Sequence, residues 1–398
     1  MFETSTTSIA STRNSRDFVF TFNMESWKNA VGHDMFMPGA RLLTTLMSEP
    51  SVRRLLVANP FRSAPIQWAR SLMGQKSPPF PADQRCALVE PRRIGRRDPT
   101  SVQELERLYG AYDQALERAA AKLGADRPAV ITTNPFVAGF SPLRWAGQVT
   151  YYGWDDWRAG LPLQPWWTGF DAAFARIRES RRGVIGVTQA VLDRIQPTGP
   201  RAIVPNGVTP EEWRETGAPP AWFAQLRTPR ILYIGALVAE RLDVDALGEI
   251  ATRFPQGTVV LVGGVRDPHL VERLRQYPNV WIQPPVSHTE IRSVVHAAEV
   301  CILPHLFNQV TEAMSPLKLY EYLAAGRPVA ASDLLPVRAI DPSIVRVQQG
   351  HSFADGVEAA LRRGPLREAD RLAFIDANSW SSRHAQILRF ASGSLAAA

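Results

Sequence analysis

A chain of 398 residues exceeds what one hydrophobic core usually serves and excludes a single small binding module, so two domains are expected. Its 45% hydrophobic and 21% charged residues exclude a disordered or fibrous chain. The net charge of +7 belongs to one half: residues 1–200 hold 25 Lys and Arg against 18 Asp and Glu, and the remainder hold 20 of each. Such asymmetry points to an acidic partner of the first half, with an Arg-rich composition (four Lys in all) as the competing explanation.

The first sixteen residues are rich in Ser and Thr and lack the apolar core of a signal peptide, so residues 1–17 are expected to form a flexible tail. No run of 18 apolar residues occurs, which predicts a cytoplasmic protein. Short β-branched runs then alternate with helical patterns, at 18–22, 54–58, 87–90, 129–133, 148–152 and 183–187, and again at 230–235, 258–263, 279–282, 300–303, 328–331 and 344–347. That alternation predicts α/β layers with parallel strands, one doubly wound sheet per half. Seven prolines between Pro197 and Pro229 mark the joint. The expected organisation is two Rossmann-like domains facing a cleft, residues 18–200 and 201–378, with 379–398 as a final helix and tail. Cys86 and Cys301 lie at or beside apolar runs with no paired spacing, the pattern of buried free thiols in a reducing compartment.

No predicted strand is followed by the spaced glycines of a dinucleotide fingerprint or by a Walker-type loop, and no His or Cys pair has metal-ligand spacing. The informative stretch is 311–331. Ser315-Pro316 predicts an N-cap followed by Pro at the first helical position, which would aim the N–H groups of Leu317 and Lys318 out of the helix start. A helix start bearing a Lys suits a pyrophosphate, and Glu321, one turn on, suits a sugar diol. Gly326 ends the helix pattern.

From Pro316 to Val329 the sequence resembles, almost continuously, the donor-nucleotide motif of retaining GT-B glycosyltransferases of the large family 4, the group 1 glycosyl transferases. Weaker matches follow the family's order: Val187-Thr-Gln-Ala-Val-Leu, Val204-Pro-Asn-Gly-Val208, Gly235-Ala-Leu-Val-Ala-Glu-Arg241, and Asn378-Ser-Trp380 before a final helix. The likeness covers most of 183–390, and residues 18–180 match mainly in strand order. It implies a GT-B fold and a metal-independent, retaining transfer from a nucleoside diphosphate sugar to an acceptor hydroxyl in polysaccharide or glycoconjugate biosynthesis, with no cofactor. Carried over by position, it puts Gly235, Arg241, Leu317 and Lys318 on the diphosphate, Glu321 on the ribose, and Pro285 and Val286 beside the base. Arg241 and Lys318 would stabilise the departing diphosphate. Two positions depart from the pattern: a donor-sugar carboxylate is expected at Ala313, leaving neighbouring Glu312 or Thr311 as candidates, and a loop Arg is expected at Ala236, with Arg266 as a substitute. Arg241 is read as beginning a helix, where a cation opposes the dipole and suggests a bound anion.

On the acceptor side, five Trp gather at residues 145, 154, 157, 166 and 167. Trp154 and Trp157 could pack on sugar rings, and Asp155 or Asp156 could accept a hydroxyl proton, against a plain reading as a cap of the sheet. His33 and Glu25 follow the first strand and could touch the acceptor, although a structural role suits a lone His. Expected partners are a nucleotide-sugar donor and an acceptor glycan, lipid-linked intermediate or small molecule, with no nucleic acid. Arg92-Arg93, Arg96-Arg97, Arg176-x-Arg178 and Arg181-Arg182 make an anionic membrane surface a further candidate, with peripheral placement on the inner membrane face. A nucleotide-sugar epimerase and a non-catalytic nucleotide-sugar-binding protein are the alternatives.

Overall fold

The computed structural model describes residues 16–73, 78–215 and 217–393, and the expected tail therefore lies outside it as far as residue 15. Fifteen strands are assigned: β1 Arg16–Thr21, β2 Val52–Ala58, β3 Arg62–Ser63, β4 Cys86–Val89, β5 Arg92–Arg93, β6 Ala129–Thr132, β7 Val149–Gly153, β8 Gly183–Gly186, β9 Arg201–Ile203, β10 Arg230–Ile234, β11 Thr258–Val262, β12 Val280–Gln283, β13 Val300–Leu303, β14 Val329–Ser332 and β15 Val345–Val347. All twelve expected runs form strands. Those missed are β9, whose exposed, alternating residues lack an apolar run, and the two-residue pair β3 and β5.

The chain divides into two compact units, Met1–Val204 with His384–Ala398, and Pro205–Arg383. The first holds a seven-stranded sheet in the order β4-β2-β1-β6-β7-β8-β9, and the second a six-stranded sheet in the order β12-β11-β10-β13-β14-β15. Neighbouring strands pair in parallel throughout both. Central strands such as β6, β11 and β13 are buried at every residue, because helices cover both faces of a parallel sheet. Arg16 and Asp17 belong to β1 rather than to the tail. Asp17 is buried there and accepts hydrogen bonds from Arg53 Nε at 2.8 Å and from the Asp126 N–H at 2.8 Å. Burial alone would raise its pKa, but those donors hold the carboxyl below its ordinary value.

The long helix Val102–Leu123 shows how the sequence builds a layer. Ser101 caps its start by accepting from the Glu104 N–H, Gly124 closes it in the left-handed region, and Leu105, Tyr109, Tyr112, Leu116 and Ala120 form its buried stripe. Nearby, helix Pro135–Phe140 approaches helix Trp167–Glu179 so closely that a Cβ at Gly139 would lie 2.6 Å from Ala173 Cα. Helix Trp380–Ala391 contributes Ile387, Phe390 and Ala391 to the core of the first unit. Cys86 and Cys301 are buried and free, and burial raises both thiols, Cys86 to about 11. Among the described residues no helix is long and apolar enough to cross a membrane.

Candidate functional site

In the second sheet β10 leads to β11 and β12 on one side and borders β13 on the other, so the strand order reverses between β10 and β13. Loops leaving the carboxyl ends of two such strands diverge and open a crevice, the usual ligand position in doubly wound sheets. Gly235 leaves β10 and His305 follows β13. Two pairings hold the flanking loops: Leu242 bridges His305 antiparallel, with the Leu306 N–H donating to Arg241 O at 2.8 Å, and Leu237 bridges Val265 in parallel. Asn308 Nδ2 adds a bond to Glu240 O at 2.8 Å, so the turn carrying Arg241 is fixed to the loop after β13.

Lys318 reaches this crevice from helix Leu317–Ala324. Its Nζ lies 3.4 Å from Tyr233 Oη and 4.7 Å from the ring centroid, a cation held by hydrogen bond and aromatic face together. A Cβ at Gly235 would lie 2.5 Å from that Nζ and push the amine aside, and Gly235 has φ 147°, a backbone that side chains rarely adopt. Arg241 Nε is buried without a hydrogen-bond partner, the condition of a donor reserved for a ligand or water. The structure thus brings together Gly235, Arg241 and Lys318, which are separated by up to 83 positions in sequence.

It also corrects two local readings. The helix begins at Leu317 with Pro316 at the cap position, and no side chain caps it; Ser315 O instead accepts from Asn206 Nδ2 at 2.8 Å. Arg241 does not begin a helix. It sits in a turn, and the next helix starts at Val244 behind an Asp243 cap, so no helix dipole opposes Arg241, and its buried unpaired nitrogen is what points to an anion.

His305 was missed. It is 2% exposed, its ring lies 6.2 Å from that of Tyr233, and its Nε2 is buried without a partner. Burial, with Lys318 and Arg241 nearby, holds the imidazole well below its ordinary value and hence neutral. Its position just past a predicted strand was the available signal, since ligand-touching residues concentrate at strand carboxyl ends.

The other donor-side candidates are distributed around this point. Leu317 is half-buried in the first turn and Glu321 is buried one turn on. Pro285 is exposed and Val286 half-buried after β12, with Pro285 Cγ 3.8 Å from a Cβ placed at Gly264. Glu312 Oε2 accepts from the Leu335 N–H at 2.9 Å, which ties that oxygen to the start of helix Leu335–Arg338. Thr311 is buried, with its hydroxyl donating to Leu306 O at 2.5 Å, and Ala313 is buried too. Arg266 is exposed, and its N–H donates to Leu237 O at 3.0 Å beside Ala236.

In the first unit the order reverses between β1 and β6. His33 ends helix Trp27–Gly32, exposed, with Nδ1 3.7 Å from Glu25 Oε1; burial raises the pKa of Glu25. Trp154 and Trp157 meet edge to face at 4.9 Å, and Trp154 Nε1 would lie 3.6 Å from a Cβ at Gly39, at the start of helix Pro38–Ser48. No direct contact joins His33 to Trp154 among the described residues. Asp156 is buried, Oδ1 accepts from the Arg158 N–H at 3.1 Å, and Oδ2 meets Arg194 at 3.2 Å, so each oxygen has one partner and keeps a further lone pair. Asp155 Oδ1 accepts from the Asp156 N–H at 2.9 Å. No group of three His, Cys, Asp or Glu among the described residues could hold a metal ion.

Known proteins resemble both the sequence and the fold. Residues 228–363 match the family described as glycosyl transferases group 1. A Bacillus subtilis protein named as a teichuronic acid biosynthesis glycosyltransferase, TuaH, is 30% identical over 123 residues, 30% of this chain and 29% of its own length. The chain therefore matches well under half of that relative. An α,α-trehalose-phosphate synthase (UDP-forming) from Burkholderia vietnamiensis is similar in structure at TM-score 0.68 and 11% identity, over 96% of this chain and 99% of its own. Sucrose-phosphate synthase from Thermosynechococcus elongatus follows at TM-score 0.65 and 16% identity, over 96% and 100%. Anabaena HepE, solved in complex with UDP, gives TM-score 0.61 and 14% identity over 95% and 100%. The chain has the GT-B fold of these structures, and its residues 228–363 match the family model of the glycosyl transferases group 1.

Proposed function

We propose that this chain moves a sugar from a nucleoside diphosphate sugar to an acceptor hydroxyl, without a metal and with retention at the anomeric carbon. The observation that carries the reading is the pair of cations, Lys318 and Arg241, at the β10–β13 crevice beside a glycine that a side chain would block. A diphosphate there would receive Lys318 Nζ, the unpaired Arg241 Nε and the uncapped N–H groups of Leu317 and Lys318. As the glycosidic bond to the diphosphate breaks, these donors oppose the growing negative charge, which is how such a site lowers a barrier. Glu321 serves the ribose, Pro285 and Val286 flank the base, and Glu312, oriented by the Leu335 N–H, is the candidate on the sugar side. A UDP-forming synthase and a UDP complex among the structural neighbours favour uridine as the nucleoside. The first unit takes the acceptor, with His33, Asp155, Trp154 and Trp157 as its candidates; the TuaH likeness favours an envelope-glycan acceptor. The assigned compartment is the cytoplasm.

A thermal-shift screen against UDP-, GDP-, ADP- and dTDP-sugars tests the donor side, because stabilisation grows with ligand over Kd. Release of the nucleoside diphosphate with acceptor, undiminished by EDTA, is the expected result. Ala313 and Ala236, where the family pattern has a carboxylate and an arginine, favour one rival, a protein that binds the donor without transferring it. Stabilisation by a donor with neither transfer nor hydrolysis would establish that rival.

A further inference from the structure

Helix Ala64–Leu72 turns its apolar side outward. Trp68 is 68% exposed, Leu72 69% and Met73, directly after the helix, 68%, and Ile66 is exposed as well. Ala64 and Gln67, on the opposite side, are half-buried. At 3.6 residues per turn the exposed four span an arc of about 160°. A surface helix of a globular protein has the opposite polarity, with the apolar stripe inward.

The surroundings extend this surface. The helix continues directly from β3, which pairs with β5 so that Ser63 lies opposite Arg93. The same register sets Ile94, 90% exposed, beside the helix start. Arg96 and Arg97 come next, both exposed and in no ion pair among the described residues. Arg92 is exposed and shares Glu90 at 3.4 Å. The exposed Met24 borders the patch, since its carbonyl accepts from Arg62 of β3.

We propose that this face of the first unit docks on an anionic lipid bilayer, with Trp68, Leu72, Met73 and Ile94 entering the headgroup region and Arg96 and Arg97 on lipid phosphates. Charge decides between occupants. Apolar side chains bordered by guanidinium groups complement a surface that is apolar below and anionic above. A second copy would bring a face of the same positive sign to the contact, whereas an anionic bilayer brings the opposite one. Tryptophan is suited to the interface by its apolar ring and polar N–H. At nine residues the helix is too short to span a bilayer, so it lies along the surface. Docking of this face does not depend on the proposed glycosyl transfer. Because β3 follows β2 and Met24 follows β1, the patch adjoins the carboxyl edge of the first sheet, the edge that carries His33 and Trp154.

Flotation of the full chain with vesicles tests it. Binding to phosphatidylcholine vesicles containing phosphatidylglycerol is expected, with little binding to phosphatidylcholine alone. The Trp68→Ser/Leu72→Ser variant should bind anionic vesicles at least about tenfold more weakly. An independent Arg96→Ala/Arg97→Ala variant should lose about fivefold per arginine, and the wild-type protein should detach as salt rises. The proposal is overturned if the wild-type chain does not float with anionic vesicles, or if both variants float as it does. Sedimentation velocity tests the other occupant: a wild-type dimer that Trp68→Ser/Leu72→Ser turns into a monomer would assign the face to a second copy and overturn the docking on lipid.

Discussion

Lys318 is fixed by Tyr233, by the close approach of Gly235 and by the helix that carries it, so its charge is placed before any ligand arrives. Replacing it with Ala should lower kcat/KM for the donor by about 10²- to 10³-fold, with donor KM raised and kcat reduced. Steady-state kinetics at varied donor concentration check this, and unchanged constants would remove Lys318 from the site. Gly235→Ala should weaken donor binding measured by calorimetry, since the new Cβ would displace Lys318 Nζ and demand a left-handed backbone at φ 147°. His305 acts differently. Neutral, it leaves Nε2 able to bond a ligand without adding a third cation to the crevice. Its imidazole resonances should not titrate between pH 5.5 and 8, and a midpoint inside that range would mean that water reaches the ring. Lys318 and Glu321 could be singled out as candidates in the sequence, where an uninterrupted run carries them. His305 could not, because its role comes from burial against Tyr233, 72 positions earlier in sequence.

At the scale of elements, helix Leu317–Ala324 must hold its register for Lys318 and Glu321 to be placed. Its far end is tied by Arg371, which is buried and donates to Ala324 O at 2.9 Å and to Trp213 O at 2.8 Å, with Glu368 at 2.7 Å on its other edge. Arg371→Met removes these donors and leaves two buried carbonyls without their bond, which should destabilise the protein by about 3 kcal/mol. Urea denaturation measures this as a lower midpoint at unchanged slope. Twelve of the fifteen strands were readable, since buried parallel strands are continuous apolar runs, and the short β3, β5 and β9 were not. Helix starts were less so. Ser315-Pro316 has the composition of a cap, yet the serine carbonyl is bound by Asn206, 109 positions away, and the helix starts one residue later than expected. Asp155-Asp156 shows a related limit: the sequence puts two carboxylates at a strand end, and packing alone reveals that Arg194 meets Asp156.

For the molecule as a whole, the buried His305 and His384 and the half-buried His296 set a pH dependence. His305 lies well below its ordinary value, and burial pushes His296 and His384 down to about 4. Below about pH 6.5 the unfolded chain binds protons at these sites that the folded chain does not, so stability falls as pH falls. A fully buried histidine contributes about 1.4 kcal/mol per pH unit in that window, and the half-buried His296 less. Thermal melts should therefore shift downward between pH 6.5 and 5. Glu25 and Asp113, raised by burial, oppose the trend as their carboxyls take up protons. A flat profile from pH 7 to 5 would mean that these imidazoles are hydrated in the folded state.

The two parallel sheets, the proline-rich joint and the donor motif could all be read along the chain, because apolar runs, turn residues and one continuous helical segment are local properties. The surplus of positive charge in the first half was equally plain there. Packing settled the rest: which cations meet at the β10–β13 crevice, that His305 joins them, that Asp156 is held by Arg194, and that helix Ala64–Leu72 faces outward with its apolar side. Each of these depends on which distant segments come together, and periodicity along a chain does not specify that.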